Sequence, residues 1–477
     1  MTDNSPAGDA IWQWSATQIA HAVRAGEVSC VEVLDSFYRR IDDVNPSLNA
    51  IVYMDREQTM QEAIEADRLR SRDPAALGPL HGVPVSIKLN ADVAGQATSN
   101  GVTAWRDRIA PADSAVVSNL RRAGALIVGR TNVPPFSFRW FTENPMHGRT
   151  LNPWRPDITC GGSSGGAAVS VAAGMCALAH GTDIAGSIRY PAYVCGVAGL
   201  KPTPGRIPAL NPSVERRFMG LQLFSSQGLL ARRVEDVELG LRSMARDGHM
   251  DPTWTDVRLD FDDDTQPVRV ALVDSVPGAR VAPQVNAVLS QAAEALESAG
   301  YSVETASPPD LVQALDLWLT IVMTDVELWM MSAVDATNDP AIISSVRSMS
   351  ACMPSREPYA YAKALAQRDV LRQEWARFLE RYPIVLMPTS CRTPMPWDED
   401  LQGEERMRQL LLDQSTLIGP AAMSLPGLNV PIGMSDGHPV GVQLLGAAFR
   451  ERRLLVAGRI LEQVCGFPSL HGARRLS

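Results

Sequence analysis

The spacing of apolar residues predicts helices in the N-terminal part of the chain. Two capping boxes, Ser15 with Gln18 and Ser29 with Glu32, predict the first turns of two helices. The second helix carries its apolar side chains on one face, at Val33, Leu34, Phe37, Tyr38 and Ile41. Residues 82–90 (GVPVSIKLN) form a short apolar run instead, which predicts a buried strand.

Helices and strands alternate through the rest of the chain. Residues 114–132 predict a helix, a glycine-containing turn and a strand, and residues 268–306 predict a strand, a helix and a strand. This alternation is typical of parallel sheets covered by helices. The pattern continues with a long helical section over about 309–381, a buried strand over 383–390, and two strands around a turn over 427–446 before a closing helix. We therefore predict one large α/β domain.

The composition argues against several classes of function. Asp and Glu number 53 against 44 Lys and Arg, and the net charge of −9 argues against a nucleic-acid or anionic-membrane binder. No apolar stretch reaches the ~18 residues that a membrane-spanning helix needs. Residues 1–14 lack the pattern of a secretion signal. The seven cysteines form no CxxC motif and are expected to be free thiols, so we expect a cytoplasmic protein.

Lysine is rare in this chain. The lysines are Lys88, Lys201 and Lys363, and the other 41 of the 44 basic residues are arginines. A lysine can lose its proton in a protein interior, whereas an arginine stays charged. A position that keeps lysine is therefore a candidate for proton transfer. Lys88 is the strongest candidate, because it lies at the C-terminal end of a predicted strand, where ligands bind in open α/β sheets.

A glycine- and serine-rich segment over residues 160–174 (CGGSSGGAAVSVAAG) predicts a loop that runs into a helix of small residues. Backbone N–H groups at such a helix start attract an anion or a developing oxyanion. The segment lacks the lysine of a phosphate-binding loop and the GxGxxG pattern of a dinucleotide site. It satisfies the G-x-S-x-G pattern of a nucleophile elbow, but no buried strand precedes it. Close packing of glycines is the structural alternative, although it leaves the two serines unexplained.

A second serine-containing turn, GTDIAGSIRYPA over residues 181–192, lies downstream. Lys88 and the two serine segments together supply what amide hydrolysis needs in the absence of histidine. A desolvated, neutral lysine can accept a serine proton, and a second hydroxyl can pass a proton to the leaving nitrogen. The histidines show no HExxH motif, and Cys160 has no activating histidine pattern, so we expect neither metal catalysis nor a cysteine nucleophile.

Six segments together resemble the amidase signature family, namely PLHGVPVSIK, GRTNVPPFSF, TLNPWRPDITCGGSSGGAA, GTDIAGSIRYPA, CGVAGLKPTPGR and PVGVQLLG. The resemblance is dense over about 79–206, the expected catalytic core, and returns over about 383–463. It is weakest over 309–381, which we interpret as a variable substrate-side segment. The resemblance implies a single domain over residues 1–477, with a central, mixed, mainly parallel β-sheet surrounded by α-helices. It implies no cofactor, no metal, a small-molecule substrate, no nucleic-acid or membrane partner, and a monomer or homodimer.

The resemblance also implies a Ser–cis-Ser–Lys triad. Ser187 corresponds to the serine that forms the acyl-enzyme, Ser163 to the relay serine on a cis peptide bond, and Lys88 to the base. The spacing of 24 residues before Ser187 selects Ser163 over Ser164 as the relay. The implied oxyanion hole consists of the backbone N–H groups of Ile184, Ala185, Gly186 and Ser187.

Further residues are implied as supporting or pocket residues. Ser164 is expected to support the site, and Asp183 and Arg189 are expected to form an ion pair that braces the nucleophile turn. The aromatic segment 134–146 lies just before the Gly-Ser loop and supplies three candidate pocket residues, Phe138, Trp140 and Phe141. The second aromatic and Met-rich segment, residues 315–331, predicts core packing.

Departures from the family pattern narrow the expected activity. Residues 133–136 (VPPF) stand where the glutamine-hydrolysing subunit of a tRNA-dependent amidotransferase usually has an acidic pair, which weakens that alternative. Leu89 follows Lys88 where many members have aspartate, so the family pattern does not identify the residues that contact Lys88. Apolar residues near the site favour an uncharged hydrophobic or aryl-bearing amide, or a carbamate, as the substrate of an amidase or urethanase. All three catalytic positions are intact, which argues against a catalytically silent binding protein.

Overall fold

Eleven strands form one mixed β-sheet in residues 11–468, the part of the chain described by the structure, a computed structural model. With a separate two-stranded pair, the described residues contain thirteen strands: β1 (Ile51–Tyr53), β2 (Pro84–Lys88), β3 (Leu126–Thr131), β4 (Glu143–Asn144), β5 (Gly148–Arg149), β6 (Leu178–Asp183), β7 (Ala198–Lys201), β8 (Ser226–Ala231), β9 (Arg269–Leu272), β10 (Ser302–Thr305), β11 (Ile384–Pro388), β12 (Gly427–Ser435) and β13 (His438–Gly446). The order across the large sheet is β1-β3-β2-β6-β8-β7-β12-β13-β11-β9-β10, and β4 and β5 form a separate pair.

Parallel pairing occurs in two groups of strands. β2 is parallel to β3 and β6, and β9 is parallel to β10 and β11. The other neighbours in the sheet are antiparallel. β12 and β13 must be antiparallel, because a turn of only two residues joins them. The predicted mixed sheet is confirmed, and its parallel character applies to these two groups.

Helices cover the sheet, as the sequence predicts. They are α1 (Ala16–Ala25), α2 (Cys30–Leu48), α3 (Arg56–Arg72), α4 (Ala115–Arg122), α5 (Gly165–Ala172), α6 (Arg189–Cys195), α7 (Met219–Phe224), α8 (Val234–Met244), α9 (Pro283–Ser298), α10 (Leu311–Trp329), α11 (Met331–Ala336), α12 (Pro340–Ala351), α13 (Ala360–Arg381), α14 (Glu404–Asp413), α15 (Ser415–Ala422) and α16 (Glu451–Cys465). Both capping boxes are present at the starts of α1 and α2. The predicted apolar face of α2 is buried.

The carboxyl ends of β2 and β6 lie side by side, because the two strands are parallel neighbours. Lys88 is the last residue of β2, and Asp183 is the last residue of β6. All of β2 is buried, so the Lys88 side chain enters the protein interior at this edge. The chain beyond β6 continues as a turn over residues 184–188 into α6.

Glycines allow the Gly-Ser loop and α5 to approach the same edge. α5 packs against β2, β6 and α6. A Cβ atom on Gly166 would lie 2.5 Å from the backbone nitrogen of Asn132, and one on Gly162 would lie 2.2 Å from the carbonyl oxygen of Arg139. These contacts leave no room for a side chain, so the loop reaches the sheet edge only with glycine at these positions.

None of the helices within residues 11–468 has both the length and the apolar character needed to cross a membrane. Residues 1–10 and 469–477 lie outside the described residues. The sequence prediction about a secretion signal, which concerns residues 1–14, therefore falls mostly on residues that the structure does not describe.

Candidate active site

Lys88 makes two side-chain hydrogen bonds at the end of β2. Its Nζ donates to Ser163 Oγ at 2.7 Å and to Thr182 Oγ1 at 2.8 Å. Thr182 Oγ1 also accepts a hydrogen bond from Asn90 Nδ2 at 3.0 Å. Lys88 is fully buried, and Asp183 is the nearby acidic residue that affects it electrostatically. The two hydroxyl oxygens therefore hold the Lys88 amine next to Ser163.

Burial lowers the pKa of Lys88 to about 7, against the opposing effect of the Asp183 charge. The cause is desolvation, which disfavours the charged ammonium form. An ordinary lysine is protonated at neutral pH, whereas Lys88 has a large neutral fraction there. A neutral amine has a lone pair that can accept the proton of a serine hydroxyl.

The two adjacent serines of the Gly-Ser loop have different contacts. Ser163 follows a cis peptide bond, Gly162–Ser163, and its hydroxyl accepts the hydrogen bond from Lys88. The Ser164 backbone N–H donates to the Ser187 carbonyl oxygen at 3.1 Å, and Ser164 Oγ donates to the Thr182 carbonyl oxygen at 3.3 Å. Ser163 is thus the serine next to Lys88, and Ser164 joins the loop to the turn that carries Ser187.

A buried ion pair braces the turn after β6, at the location expected from the sequence. Arg189 donates from Nε to Asp183 Oδ2 at 3.0 Å and from Nη2 to Asp183 Oδ1 at 3.1 Å, and neither side chain is exposed. Asp183 also accepts the backbone N–H groups of Gly186 at 2.7 Å and Ile188 at 3.1 Å. Burial alone would raise the pKa of Asp183, but the Arg189 charge and these hydrogen bonds outweigh burial and lower it to about 2.

Three of the four predicted oxyanion donors are unpaired. The backbone N–H groups of Ile184, Ala185 and Ser187 have no hydrogen-bond partner among residues 11–468. The Gly186 N–H donates to Asp183 Oδ1, and a backbone amide has a single proton. In this arrangement the Gly186 N–H is therefore occupied by its hydrogen bond to Asp183, and the other three predicted donors are the ones free to bind an oxyanion.

A cavity of about 620 Å³ opens at this edge of the sheet, and Ser163 and Ser187 both line it. The predicted pocket residues Phe138 and Trp140 line it as well. Phe136 of the same segment lines it too, and three other segments contribute Trp105, Phe218 and the pair Trp318 and Trp329. The cavity therefore combines two serine hydroxyls with a cluster of aromatic side chains, and its lining also includes charged residues such as Arg108, Glu215 and Arg217. The aromatic part of the wall suits an apolar group of a ligand.

Phe141 does not belong to this cavity, and its prediction as a pocket residue is wrong. The side chain is fully buried, with its ring centroid 6.0 Å from that of Trp397 and 5.2 Å from the Arg139 guanidinium carbon. Its neighbour Trp140 takes the cavity side and donates from Nε1 to the Ala185 carbonyl oxygen at 3.3 Å. The Phe141 side chain packs in the hydrophobic core instead of lining the cavity.

The model of the amidase family matches residues 32–455 of this chain. The chain belongs to the amidase family. It is 41% identical over 459 residues to an indoleacetamide hydrolase from Bradyrhizobium diazoefficiens, an alignment that covers 96% of this chain and 87% of that protein. It is 34% identical to an acylamidase from Rhodococcus erythropolis, with 92% of each chain covered. A solved 6-aminohexanoate cyclic dimer hydrolase has the same fold, with a TM-score of 0.81, 27% identity and 98% of each chain covered.

These similarities confirm the family resemblance drawn from the sequence. This amidase is a hydrolase of amide C–N bonds. Cys160 lies beside the Gly-Ser loop, but burial raises the pKa of its thiol to about 12, so the reactive thiolate is absent at neutral pH. Within residues 11–468, no three His, Cys, Asp or Glu side chains are grouped in a way that could hold a metal ion.

Several site residues of this amidase were missed by sequence reasoning. Asn90 and Thr182 complete the contacts around Lys88, and the only signal for them is their position beside predicted site residues.

The prediction of core packing for residues 315–331 is incomplete. Trp318 is buried but lines the cavity, and Trp329 lines it while remaining 57% exposed.

Proposed function

We propose that this amidase cleaves a small, uncharged, aryl-bearing or hydrophobic amide through an acyl-enzyme on Ser187. The observation that carries the proposal is the hydrogen bond from the buried Lys88 Nζ to Ser163 Oγ, in a cavity that both serines line. The low pKa of Lys88 supports its role as the base. The paired, buried position of Asp183 and Arg189 supports their role as a brace of the nucleophile turn rather than as reacting groups.

The proposed acylation step moves one proton along a chain of hydroxyls. Neutral Lys88 accepts the Ser163 proton, and Ser163 Oγ accepts the Ser187 proton as Ser187 Oγ attacks the carbonyl carbon. The N–H groups of Ile184, Ala185 and Ser187 donate to the oxyanion of the tetrahedral intermediate.

The intermediate then collapses with breakage of the C–N bond. The proton on Lys88 returns through Ser163 to the leaving nitrogen, which departs as a neutral amine or ammonia. Water hydrolyses the Ser187 ester by the same route, releases the acid and restores the free hydroxyl. No cofactor or metal takes part in these steps.

The aromatic wall and the relatives favour an aryl-bearing acyl group. A relative with 41% identity is named an indoleacetamide hydrolase, and another is named an acylamidase. Trp140, Trp318 and Phe138 offer flat apolar surfaces on which an aromatic ring can pack. An aryl carbamate is the second substrate class that we retain, because attack of Ser187 on a carbamate carbonyl follows the same steps.

We further infer that the enzyme is a single domain over residues 1–477 that acts in the cytoplasm as a monomer or homodimer. The continuous eleven-stranded sheet, which includes strands from Ile51 to Gly446, supports the single domain. The free cysteines, including the buried Cys160 and Cys195, support a reducing compartment. The acidic net charge supports a small-molecule substrate rather than a nucleic acid.

The substrate proposal is tested with purified protein on indole-3-acetamide, an anilide, an aliphatic primary amide, glutamine and an aryl carbamate. Wild type is expected to release amine or ammonia fastest from an aryl-bearing substrate. Ser187→Ala should lose at least about 10⁴-fold in kcat, because the nucleophile is absent. Ser118→Ala, on α4 outside the cavity, is the matched control and should remain fully active.

The outcomes separate the candidate functions. Activity on glutamine alone would replace this proposal with the glutamine-hydrolysing subunit of an amidotransferase. A preference for the carbamate would identify a urethanase. Amine release that survives Ser187→Ala in protein free of contaminating hydrolases would contradict the assigned nucleophile.

The proposal also predicts a pH profile. The value of kcat/KM should rise between about pH 5.5 and 8.5 with a midpoint near 7, because only neutral Lys88 accepts a proton. Asp183 and His180 have pKa values of about 2 and about 4, so neither changes charge in this range. Burial lowers the pKa of Lys201 to about 7 as well, which makes Lys201 the necessary control.

Lys201 is distinguished from Lys88 by its contacts. Its Nζ donates to the carbonyl oxygens of Leu425 at 2.9 Å and Pro202 at 3.3 Å, and within residues 11–468 it has no hydrogen bond to a serine hydroxyl. Lys201→Gln should therefore keep the midpoint of the wild-type pH profile, measured where the variant stays folded. A flat wild-type profile under rate-limiting acylation, or a midpoint that disappears in Lys201→Gln, would refute Lys88 as the titrating base.

A further inference from the structure

Two indole side chains hold successive carbonyl groups of the nucleophile turn. Trp318 Nε1 donates to the Ile184 carbonyl oxygen at 3.0 Å, and Trp140 Nε1 donates to the Ala185 carbonyl oxygen at 3.3 Å. Trp318 is 2% exposed and Trp140 is 6% exposed, so water competes little for either bond. Trp318 belongs to α10, which is remote in sequence from the turn.

Each of these bonds sets the direction of a peptide plane. In a trans peptide the C=O group and the N–H group of the next residue point in opposite directions. The bond from Trp318 to Ile184 therefore directs the Ala185 N–H away from Trp318. The bond from Trp140 to Ala185 directs the Gly186 N–H in the same manner, and that N–H donates to Asp183. The Ala185 N–H is left without a partner among residues 11–468.

We propose that Trp318 is a positioning residue of this amidase, which holds the Ala185 N–H in the direction needed to bind the oxyanion. The inference rests on the proposed acyl-enzyme mechanism. It gives the helical section 309–381 a positioning task, although the family resemblance marks that section only as variable and substrate-side. Trp318 itself donates to the protein backbone and takes no part in bond making or breaking.

The cap and the packing of α10 hold Trp318 in a fixed position. α10 begins with an Asp310 cap, whose carboxylate accepts the N–H groups of Val312 and Gln313 at 2.9 Å each. The helix packs against α15 and α13. α15 also supplies the Leu417 carbonyl oxygen that accepts Arg189 Nη2 at 2.9 Å. Trp318, the hydrogen-bond partner of the Ile184 carbonyl, therefore lies on a capped and packed helix. That helix contacts α15, which also binds Arg189 of the ion pair that braces the turn.

Trp318→Phe tests the inference because it removes the indole N–H and keeps an aromatic side chain. The Ile184 carbonyl then loses its partner, and the peptide that carries the Ala185 N–H can rotate. We expect kcat to fall about tenfold, less than the 10²- to 10³-fold cost of deleting an oxyanion donor, because the N–H itself remains. KM should stay within about twofold of wild type, because the bond matters most when the oxyanion forms.

A boronic acid analogue of the best substrate supplies a readout that a purely structural role would not change. The boronate forms a tetrahedral adduct with the nucleophilic serine, and its affinity should fall by about the same factor as kcat. The affinity for the corresponding alcohol, which forms no adduct, should remain unchanged. The concentration of active sites is measured by complete titration with a phosphonyl probe, and rates are divided by that concentration. A partly unfolded sample then does not give a false loss of kcat.

Trp375→Phe is the matched control. Trp375 on α13 is fully buried, and its Nε1 has no hydrogen-bond partner in the described chain. This substitution also removes a buried indole N–H, and it should leave kcat and boronate affinity unchanged. The inference is confirmed if the selective loss appears in Trp318→Phe and is absent in Trp375→Phe.

Other results would overturn the inference. Equal kcat in wild type and Trp318→Phe would show that the bond to Ile184 does not affect the reaction. A rise in KM at constant kcat would show that Trp318 acts only in substrate binding, as a residue that lines the cavity. If the boronate does not bind wild type and Ser187→Ala remains active, the proposed mechanism itself fails. That failure is distinct, because it does not involve the tryptophan variants.

Discussion

Lys88→Arg is expected to lower kcat for amide hydrolysis by about 10⁴-fold, the upper end of what loss of a general base costs. Arginine keeps the positive charge but cannot release its proton in a protein, so it cannot accept one from Ser163. Lys88→Met should be equally inactive, although it adds neither charge nor bulk to this fully buried position. The measurement is kcat on the best substrate, with the melting temperature and circular dichroism of each variant recorded alongside.

Lys363 provides the matched control for this substitution. It lies on the exposed surface of α13, and Lys363→Arg should leave both kcat and melting temperature unchanged. A Lys88→Arg protein that keeps more than about a tenth of wild-type kcat would remove Lys88 from the proton-transfer path. If Lys88→Met is folded and inactive while Lys88→Arg is unfolded, the base assignment rests on Lys88→Met alone and still stands.

Asp183→Asn is expected to lower the free energy of unfolding by about 3–5 kcal/mol, the usual cost of breaking a buried ion pair from one side. The substitution leaves the Arg189 guanidinium buried without a counter-charge. It also removes a carboxylate oxygen that accepts a backbone N–H of the turn, and we expect kcat to fall by about 100-fold as the oxyanion donors lose their alignment. Denaturant unfolding at neutral pH and initial rates on the same protein samples provide the two measurements.

The pH dependence of this stability difference follows from the pKa of Asp183. Its pKa in the folded protein is about 2, below the ordinary value of 3.8. A carboxylate with a lowered pKa contributes stability that is complete above the ordinary pKa and is lost as the pH falls through the folded-state value. The difference between wild type and Asp183→Asn should therefore be constant near neutral pH and shrink between about pH 4 and pH 2.

An exposed ion pair provides the comparison for Asp183. Asp157 pairs with Arg155 on the surface, where their side chains are 58% and 40% exposed. Exposed pairs contribute little to stability, so Asp157→Asn should leave the unfolding midpoint almost unchanged. Equal effects of the two substitutions would contradict the view that burial makes the Asp183 pair important.

Local sequence patterns determined the secondary structure well. The capping boxes at Ser15 and Ser29 begin α1 and α2, and the apolar run at residues 82–90 contains β2. The strand–helix–strand pattern of 268–306 folds as β9, α9 and β10 with parallel strands. These features depend on hydrogen bonds and apolar spacing within a few residues, which is why the sequence alone predicts them.

The family resemblance also predicted which residues come together at the candidate site. The loop with Ser163 does lie against Lys88, and Asp183 does pair with Arg189. Which backbone N–H groups of the turn remain free to bind an oxyanion was not predictable, because this depends on how the turn folds around the Asp183 carboxylate. Gly186 lies in the motif, but its N–H donates a hydrogen bond to Asp183.

Sequence determined the elements and the motif residues of this amidase, and tertiary packing decided the cavity wall and the alignment of the nucleophile turn. Trp140 and Phe141 are adjacent aromatic residues, yet only Trp140 reaches the cavity. Trp318 meets Ile184 across 134 residues of sequence. No local pattern encodes such a contact, because it forms only when α10 packs against α15 and α13 in the folded chain.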